Sequence, residues 1–351
     1  MNNKENKIIN FDPSAIGIHN GNLFGLPFSL EESETVVIPV PWEVTTSYGG
    51  GTAYGPQAIL NASTQVDLFD REMPDAWQGG ISLLPIPKKL LQKNITLKKL
   101  TGQCVRFLEK GGSESSPKLK KIYKQINSEC HKMNEWVKSE ALKWLDKGKR
   151  VAVLGGDHST PLGLMQAMAE KHEQFSVLHF DAHLDLRLAY EGFEFSHASI
   201  MNNALKINNI DRLVQVAIRD YSHQEIVLVN SSNGRVKVYD DRSVNARMFR
   251  GETWTEITND IVNDLNKKVY VSFDIDALDP ALCPHTGTPV PGGLGFEQAL
   301  YVIDSLVNAG HTIIGFDLNE VAPGKDEWDA AIGARLLYRL NNQMTKSQSN
   351  K

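Results

Sequence analysis

Asp181, His183 and Asp185 recur at every second position of the segment DAHLD, and Asp274 and Asp276 repeat that spacing in DIDALDP. On an extended chain, side chains two and four residues apart point to one side. The first segment then presents two carboxylates with an imidazole between them, and the second presents two more carboxylates. His158, in GGDHS, follows two glycines that let the backbone turn tightly. Converged in one crevice, these residues offer four carboxylates and two imidazoles. Buried carboxylates repel one another and are costly unless paired. Two divalent cations would neutralise them. The set is rich in oxygen and contains no thiolate, which suits Mn2+ first, with Ni2+, Co2+, Fe2+ or Mg2+ as alternatives. Two such ions roughly 3.5–4 Å apart share carboxylates and a water whose pKa falls toward ~7. The chemistry on offer is hydrolysis near neutral pH.

Each of these motifs follows a short, β-branched apolar run. RVAVL (150–154) leads into GGDHS, SVLHF (176–180) into DAHLD, KVYVSF (268–273) into DIDALDP, and TIIGF (312–316) into DLNEVAP. Similar runs occur at 35–39, 213–218 and 236–239. Continuous runs of this kind mark strands buried on both faces of a parallel sheet. Helical patterns over 129–146, 161–172, 255–266 and 296–309 lie between them. Alternating strands and helices predict an α/β domain with helices on both faces of the sheet. The chemically active residues all fall at the carboxyl ends of strands, where open α/β sheets bind ligands.

One domain is expected over 35–340, after an N-terminal extension at 1–34. Residues 88–128 break the rhythm with a lysine-rich insertion interrupted by GGSESSP at 111–117. It reads as solvated surface helices around a mobile loop. Residues 341–351 read as a flexible, frayed tail.

Composition narrows the function classes. Of 351 residues, 41% are hydrophobic and 23% charged, the balance of a globular protein with a sizeable core. The formal charge of −5 gives no electrostatic reason to expect nucleic-acid binding. No apolar stretch approaches the roughly 18–20 residues of a membrane span. The three cysteines are widely spaced and form no C-x-x-C pair, as in a reducing compartment. With a polar N-terminus that lacks a signal-like apolar run, a cytoplasmic location is expected.

Taken in order, GGDHS, DAHLD, SFDIDALDP and DLNEVAP resemble the motifs of the ureohydrolase family of arginases, agmatinases, guanidinobutyrases and relatives. The resemblance runs from about residue 36 to 340. It implies a three-layer α/β/α fold around a mainly parallel eight-stranded sheet, assembled as a homo-trimer or hexamer. It also implies two manganese ions. One would be held by His158, Asp181, Asp185 and Asp274, the other by His183, Asp181, Asp274 and Asp276. Asp185 would further carry a proton from the attacking water to the leaving amine. His197, in FSHAS, matches the family's loop histidine, a proton shuttle. Glu320, in NEVAP, matches the glutamate that grips the guanidinium, a planar cation well suited to a bidentate carboxylate. The implied reaction splits a guanidino group into urea and a primary amine.

The substrate's far end is read from departures. The resemblance places Arg187 where arginases carry an asparagine for the α-carboxylate, and Arg219-Asp220-Tyr221-Ser222 lacks the final acid that would hold the α-amino group. Asp157 and His197 depart from the formimidoylglutamase pattern. The loop around Arg187 and the glycine-rich TTSYGGGTAYGPQAI (45–59) look most like agmatinases, so agmatine is the expected substrate. Thr288, in a rim turn, is a further candidate contact. Guanidinobutyrate, guanidine, arginine or formimidoylglutamate remain alternatives, as does a non-catalytic relative that keeps its metals. Retention of both His197 and Glu320 argues against that last reading.

Overall fold

Alternate strand residues enter two separate cores. Val37, Ala152, Leu154, Val271 and Phe316 pack into one buried cluster. Their neighbours Val36, Ile38, Val151, Val153 and Tyr270 pack into another. Both faces of the sheet are therefore apolar, the reason these strands read as continuous hydrophobic runs rather than alternating ones. The computed structural model describes residues 3–349.

In chain order the elements are α1 (Asn3–Asn10), β1 (Thr35–Val40), α2 (Gly55–Ala62), β2 (Ile81–Leu83), α3 (Lys88–Glu109), α4 (Pro117–Leu145), β3 (Arg150–Gly155), α5 (Leu162–Lys171) and β4 (Phe175–Phe180). There follow α6 (Ile200–Ala204), β5 (Ile210–Ile218), α7 (His223–Ser231), β6 (Val236–Asp240), α8 (Asp241–Phe249) and α9 (Trp254–Asn263). Last come β7 (Lys268–Asp274), α10 (Phe296–Asn308), β8 (Thr312–Asn319) and α11 (Trp328–Ser349). The eight strands form one all-parallel sheet in the order β2-β1-β3-β8-β7-β4-β5-β6. Side chains of α2, α9, α10 and α11 fill the first core, and those of α3, α4, α5 and α6 the second, giving three layers. The three-layer α/β expectation is met.

The register decides what this architecture does. Asp274 pairs with Asn319, Phe180 with Phe273, and Leu154 with Leu318. The central strands β3, β8, β7 and β4 thus end level with one another, and the motifs that follow them emerge side by side.

Three expectations need correction. The lysine-rich segment forms two helices around a break, as expected, but they are not merely solvated surface helices: α3 and α4 bury Leu97, Cys104, Val105, Leu119 and Ile126. Their apolar residues form a stripe, while the lysines hold the opposite faces. The break at 110–116 is real. The chain end is not frayed either. Helix α11 continues through the described residues, with Leu340 and Met344 fully buried, and Ser347 Oγ accepts the Ile313 N–H at 3.0 Å. The polar residues there mislead because Asn342 and Gln343 are themselves buried, donating to Asp70 and Glu72. Finally, residues 1–34 are expected as an extension, yet Leu23, Phe24, Leu26 and Phe28 are buried in the same core as α11. The three-residue strand β2 was too short to announce itself.

Candidate metal centre and substrate cavity

His158, Asp181, Asp185, Asp274 and Asp276 are all buried, and His183 is half-buried. His158 Nδ1 lies 3.0 Å from Asp181, 3.1 Å from Asp274 and 3.6 Å from Asp185. His183 Nδ1 lies 3.2 Å from Asp181 and 3.1 Å from Asp276. The six residues singled out from their spacing do converge. Asp181 belongs to both halves of the cluster, with His158 and Asp185 on one side and His183 and Asp276 on the other.

The route to convergence differs from the expected extended segment. Strand β4 stops at Phe180, and residues 181–185 lie beyond it. Asp181 Oδ1 turns back to accept the His183 N–H at 2.6 Å, and Asp276 Oδ1 accepts the Ala182 N–H at 2.9 Å. Asp185 sits at φ 54° and Glu320 at φ 63°. Left-handed backbone at non-glycine residues costs on the order of 1–3 kcal/mol. Here it bends two carboxylates into the crevice. The two glycines before His158 are required by close approach: a Cβ on Gly156 would stand 1.9 Å from the Trp42 carbonyl oxygen.

His179 is the residue that spacing arguments missed. Its Nε2 lies 2.9 Å from Asp181 Oδ2, and its Nδ1 lies 2.9 Å from the Gln215 amide nitrogen. That amide nitrogen also donates to the Leu184 carbonyl at 2.8 Å, which fixes it as a donor. His179 Nδ1 therefore accepts, and its Nε2–H donates to Asp181. With both nitrogens engaged, His179 orients Asp181 instead of offering a lone pair to an ion. A histidine inside an apolar strand, two residues before Asp181 and on its face, was the available signal. His158 is held in a similar way. Its Nε2 meets Ser272 Oγ at 2.9 Å, and that hydroxyl donates to Asp317 at 3.0 Å. This leaves Nδ1 to face the carboxylates.

The electrostatics of the cluster are costly for its carboxylates. Burial, then repulsion from Asp181, pushes the Asp185 carboxyl well above its ordinary range. Burial and Asp276 do the same to Asp274, and burial with Asp274 does so to Glu320. Alone, these groups would have to take up protons. A donor set of oxygens and imidazoles around such uncompensated charge fits divalent cations.

Glu320 follows β8 and accepts the His158 N–H at 2.9 Å through Oε1, while its buried Oε2 has no partner. Adjacent is a cavity of about 340 Å³ lined by Ser47, Tyr48, His183, Asp185, Arg187, Tyr190, His197, Asp220, Tyr221, Glu225 and Thr288, among others. A larger hollow of about 510 Å³ lies between residues 10–18 and 64–68, away from these residues. His197 and Thr288 thus meet the same cavity. Burial, with His183 adding to it, lowers His197 to about 4, so its imidazole is neutral at pH 7. Its Nδ1 is buried without a partner.

Arg187 is less free than its sequence position suggested. Its Nε stands 3.8 Å from Glu225, and its guanidinium lies 4.9 Å from the Tyr190 ring centroid. Glu225 was not foreseen. The S-x-x-E capping box at the start of α7 carries it, and its other oxygen accepts the Leu186 N–H at 3.1 Å. Asp220 was also overlooked. It bridges His183 in parallel pairing, and among the described residues its carboxylate has no hydrogen-bond or ionic partner.

Comparison with known proteins agrees with this geometry. The model of the Arginase family matches residues 33–341. N(1)-aminopropylagmatine ureohydrolase of Thermus thermophilus is 31% identical over 88% of this chain and 89% of its own. Agmatinase of Cronobacter sakazakii is 30% identical, covering 93% of each chain. The solved agmatine ureohydrolase of Thermoplasma volcanium shares the fold at a TM-score of 0.69, with 22% identity over 92% of this chain and 94% of that one. With four strand-end motifs converging as they do and the match spanning nearly the whole sequence, the chain belongs to the arginase family and is a ureohydrolase.

Proposed function

We propose that this protein hydrolyses agmatine to putrescine and urea at a pair of manganese ions. The substrate reading is carried by one contrast in the cavity wall. Arg187, the group suited to a substrate carboxylate, lies against Glu225 and Tyr190, whereas the exposed Asp220 carboxylate has no partner among the described residues. That wall favours a tail ending in an ammonium over one ending in an acid.

His158, Asp181, Asp185 and Asp274 would hold one ion, and His183, Asp181, Asp274 and Asp276 the other. Bound there, the ions would neutralise the carboxylates and supply a water acidified toward neutral pH. Glu320 Oε2 would accept guanidinium N–H bonds, turning the planar carbon toward the carboxylate cluster. Asp185 would take a proton from the attacking water and deliver it to the nitrogen carrying the alkyl tail. As the C–O bond forms and that C–N bond breaks, the guanidinium and one water become urea and an alkylammonium, with charge conserved. His197, neutral at working pH, would move protons between the cavity and solvent. The three cysteines are buried and unpaired, which supports a reducing, cytoplasmic setting; among the described residues no helix is long and apolar enough to cross a membrane.

The test is urea release from agmatine, aminopropylagmatine, arginine, guanidinobutyrate, formimidoylglutamate and guanidine, each with manganese and with nickel. Preference for the amine-tailed compounds is expected. Preference for an acid-tailed one would overturn the agmatine reading, and no urea from any guanidino compound would overturn hydrolysis.

A further inference from the structure

The lysine-rich helix α3 meets the base of the loop that lines the cavity through Lys98 and Asn94. Lys98 Nζ lies 2.7 Å from Glu43 Oε1 and donates to Thr46 Oγ1 at 2.9 Å. One turn earlier on the same helix, Asn94 Oδ1 accepts the Glu43 N–H at 2.7 Å. Glu43 is only 4% exposed. Its second oxygen accepts the Gly51 N–H at 2.7 Å, the Thr52 hydroxyl at 3.1 Å and the Ala53 N–H at 3.4 Å. The loop 44–52 therefore leaves from Glu43 and returns to its buried carboxylate, and that carboxylate is tied to α3 through Lys98.

The middle of the loop carries Ser47 and Tyr48 into the cavity wall. Gly49 packs against the opposite rim, where a Cβ on it would stand 2.4 Å from the Gly287 carbonyl oxygen. Gly287 in turn backs onto Glu320, whose Oε2 is 3.0 Å from where a Gly287 Cβ would lie. Contact thus runs from Lys98 through Glu43 to the loop, and from the loop to the rim beside Glu320.

We propose that Lys98 is a positioning residue for substrate binding, holding loop 44–52 as a fixed wall of the cavity. The proposal builds on the hydrolase reading above. Without Lys98, Glu43 would be a buried carboxylate lacking its counter-ion, a state relieved either by taking up a proton, which weakens it as an acceptor, or by turning toward water. Either change would release Gly51 and Thr52, and with them Tyr48. The carboxylate cluster takes no bond from Lys98 and would stay assembled.

The full-length chain, as K98M and K98R, tests this in two ways. Amide hydrogen exchange without substrate reads the loop directly. In K98M, exchange at Gly51 and Ala53 should rise about tenfold with β4 unchanged, and K98R, which keeps the charge, should stay near wild type. In the urea assay, K98M should raise KM about tenfold, with kcat within about threefold and metal content unchanged. Unchanged exchange over 44–54, exchange raised throughout the chain, or a fall in kcat with KM intact would each overturn the proposal. Should the wild type release no urea, the hydrolase reading fails by itself, and the exchange arm still decides whether Lys98 fixes the loop.

Discussion

Glu320 Oε1 accepts the backbone N–H of His158 at 2.9 Å, so the acid at the end of β8 is fastened to the imidazole that follows β3. The two residues are 162 positions apart in sequence. The bond fixes which oxygen is left for a substrate, because Oε2 is buried and unpartnered. It also fastens Glu320 to the cluster of carboxylates and imidazoles as one unit.

Glu320→Gln should separate binding of the cation from binding of metal. The amide oxygen can keep the His158 bond, but an NH2 group would then face the guanidinium where a carboxylate oxygen is needed. Loss of a charged hydrogen-bond acceptor in a desolvated site predicts a fall in kcat/KM of about 100-fold or more. Metal content by elemental analysis should remain at the wild-type value. Parallel loss of metal and activity would mean that Glu320 serves the ions instead.

Asp276→Asn should show the reverse pattern. Asp276 Oδ1 accepts the Ala182 N–H, which an asparagine oxygen can reproduce. The Oδ2 beside His183 is the one that would lose its charge. One ion per chain should be lost, with turnover down about 100-fold or more. Two retained ions with near-normal turnover would remove Asp276 from the ligand set.

Asp220→Asn asks whether the free carboxylate reads the substrate tail. A partly solvated ionic contact is modest, so KM for agmatine should rise about 5- to 10-fold. A neutral-tailed alkylguanidine should be turned over by both forms alike. Equal effects on the two substrates would leave Asp220 without a role in selecting the tail.

The convergence of these acids and histidines was legible because their chemistry is concentrated. Two D-x-[DH] segments and one histidine each follow a strand, and the strands are identifiable by composition alone. What supports the cluster was harder to see. His179 looks like part of an apolar strand until its face is compared with that of Asp181. Glu225 reads as a helix cap and is one, yet the same carboxylate also faces Arg187. Such double use depends on a contact across 38 residues, which local patterns do not carry. The lysine-rich segment and the polar C-terminus misled for one shared reason. In a three-layer protein a long helix needs only a narrow apolar stripe, and the remaining residues dominate its composition.

The N-terminal helix gives a test that does not depend on catalysis. Lys7 Nζ meets Glu32 Oε2 at 2.6 Å, and the Ser29 N–H donates to the same oxygen at 2.8 Å. Lys7 first, then Ser29, lowers the Glu32 carboxyl from 4.5 to about 2. A carboxylate with a depressed folded-state pKa contributes stability above its unfolded value, and that contribution disappears as pH falls through the folded one. The pair is partly solvated, so it contributes about 1 kcal/mol or less, on the order of 2 °C in melting temperature for a chain of this size. Wild type should therefore melt above Glu32→Gln by a constant margin between pH 7 and pH 5. The margin should narrow steadily below about pH 4.5 and approach zero near pH 2, if the fold persists that far. Melting curves of both proteins at matched ionic strength measure it. A margin that widens on acidification would reverse the sign and rule out the ionised Glu32–Lys7 pair as the clasp that docks α1.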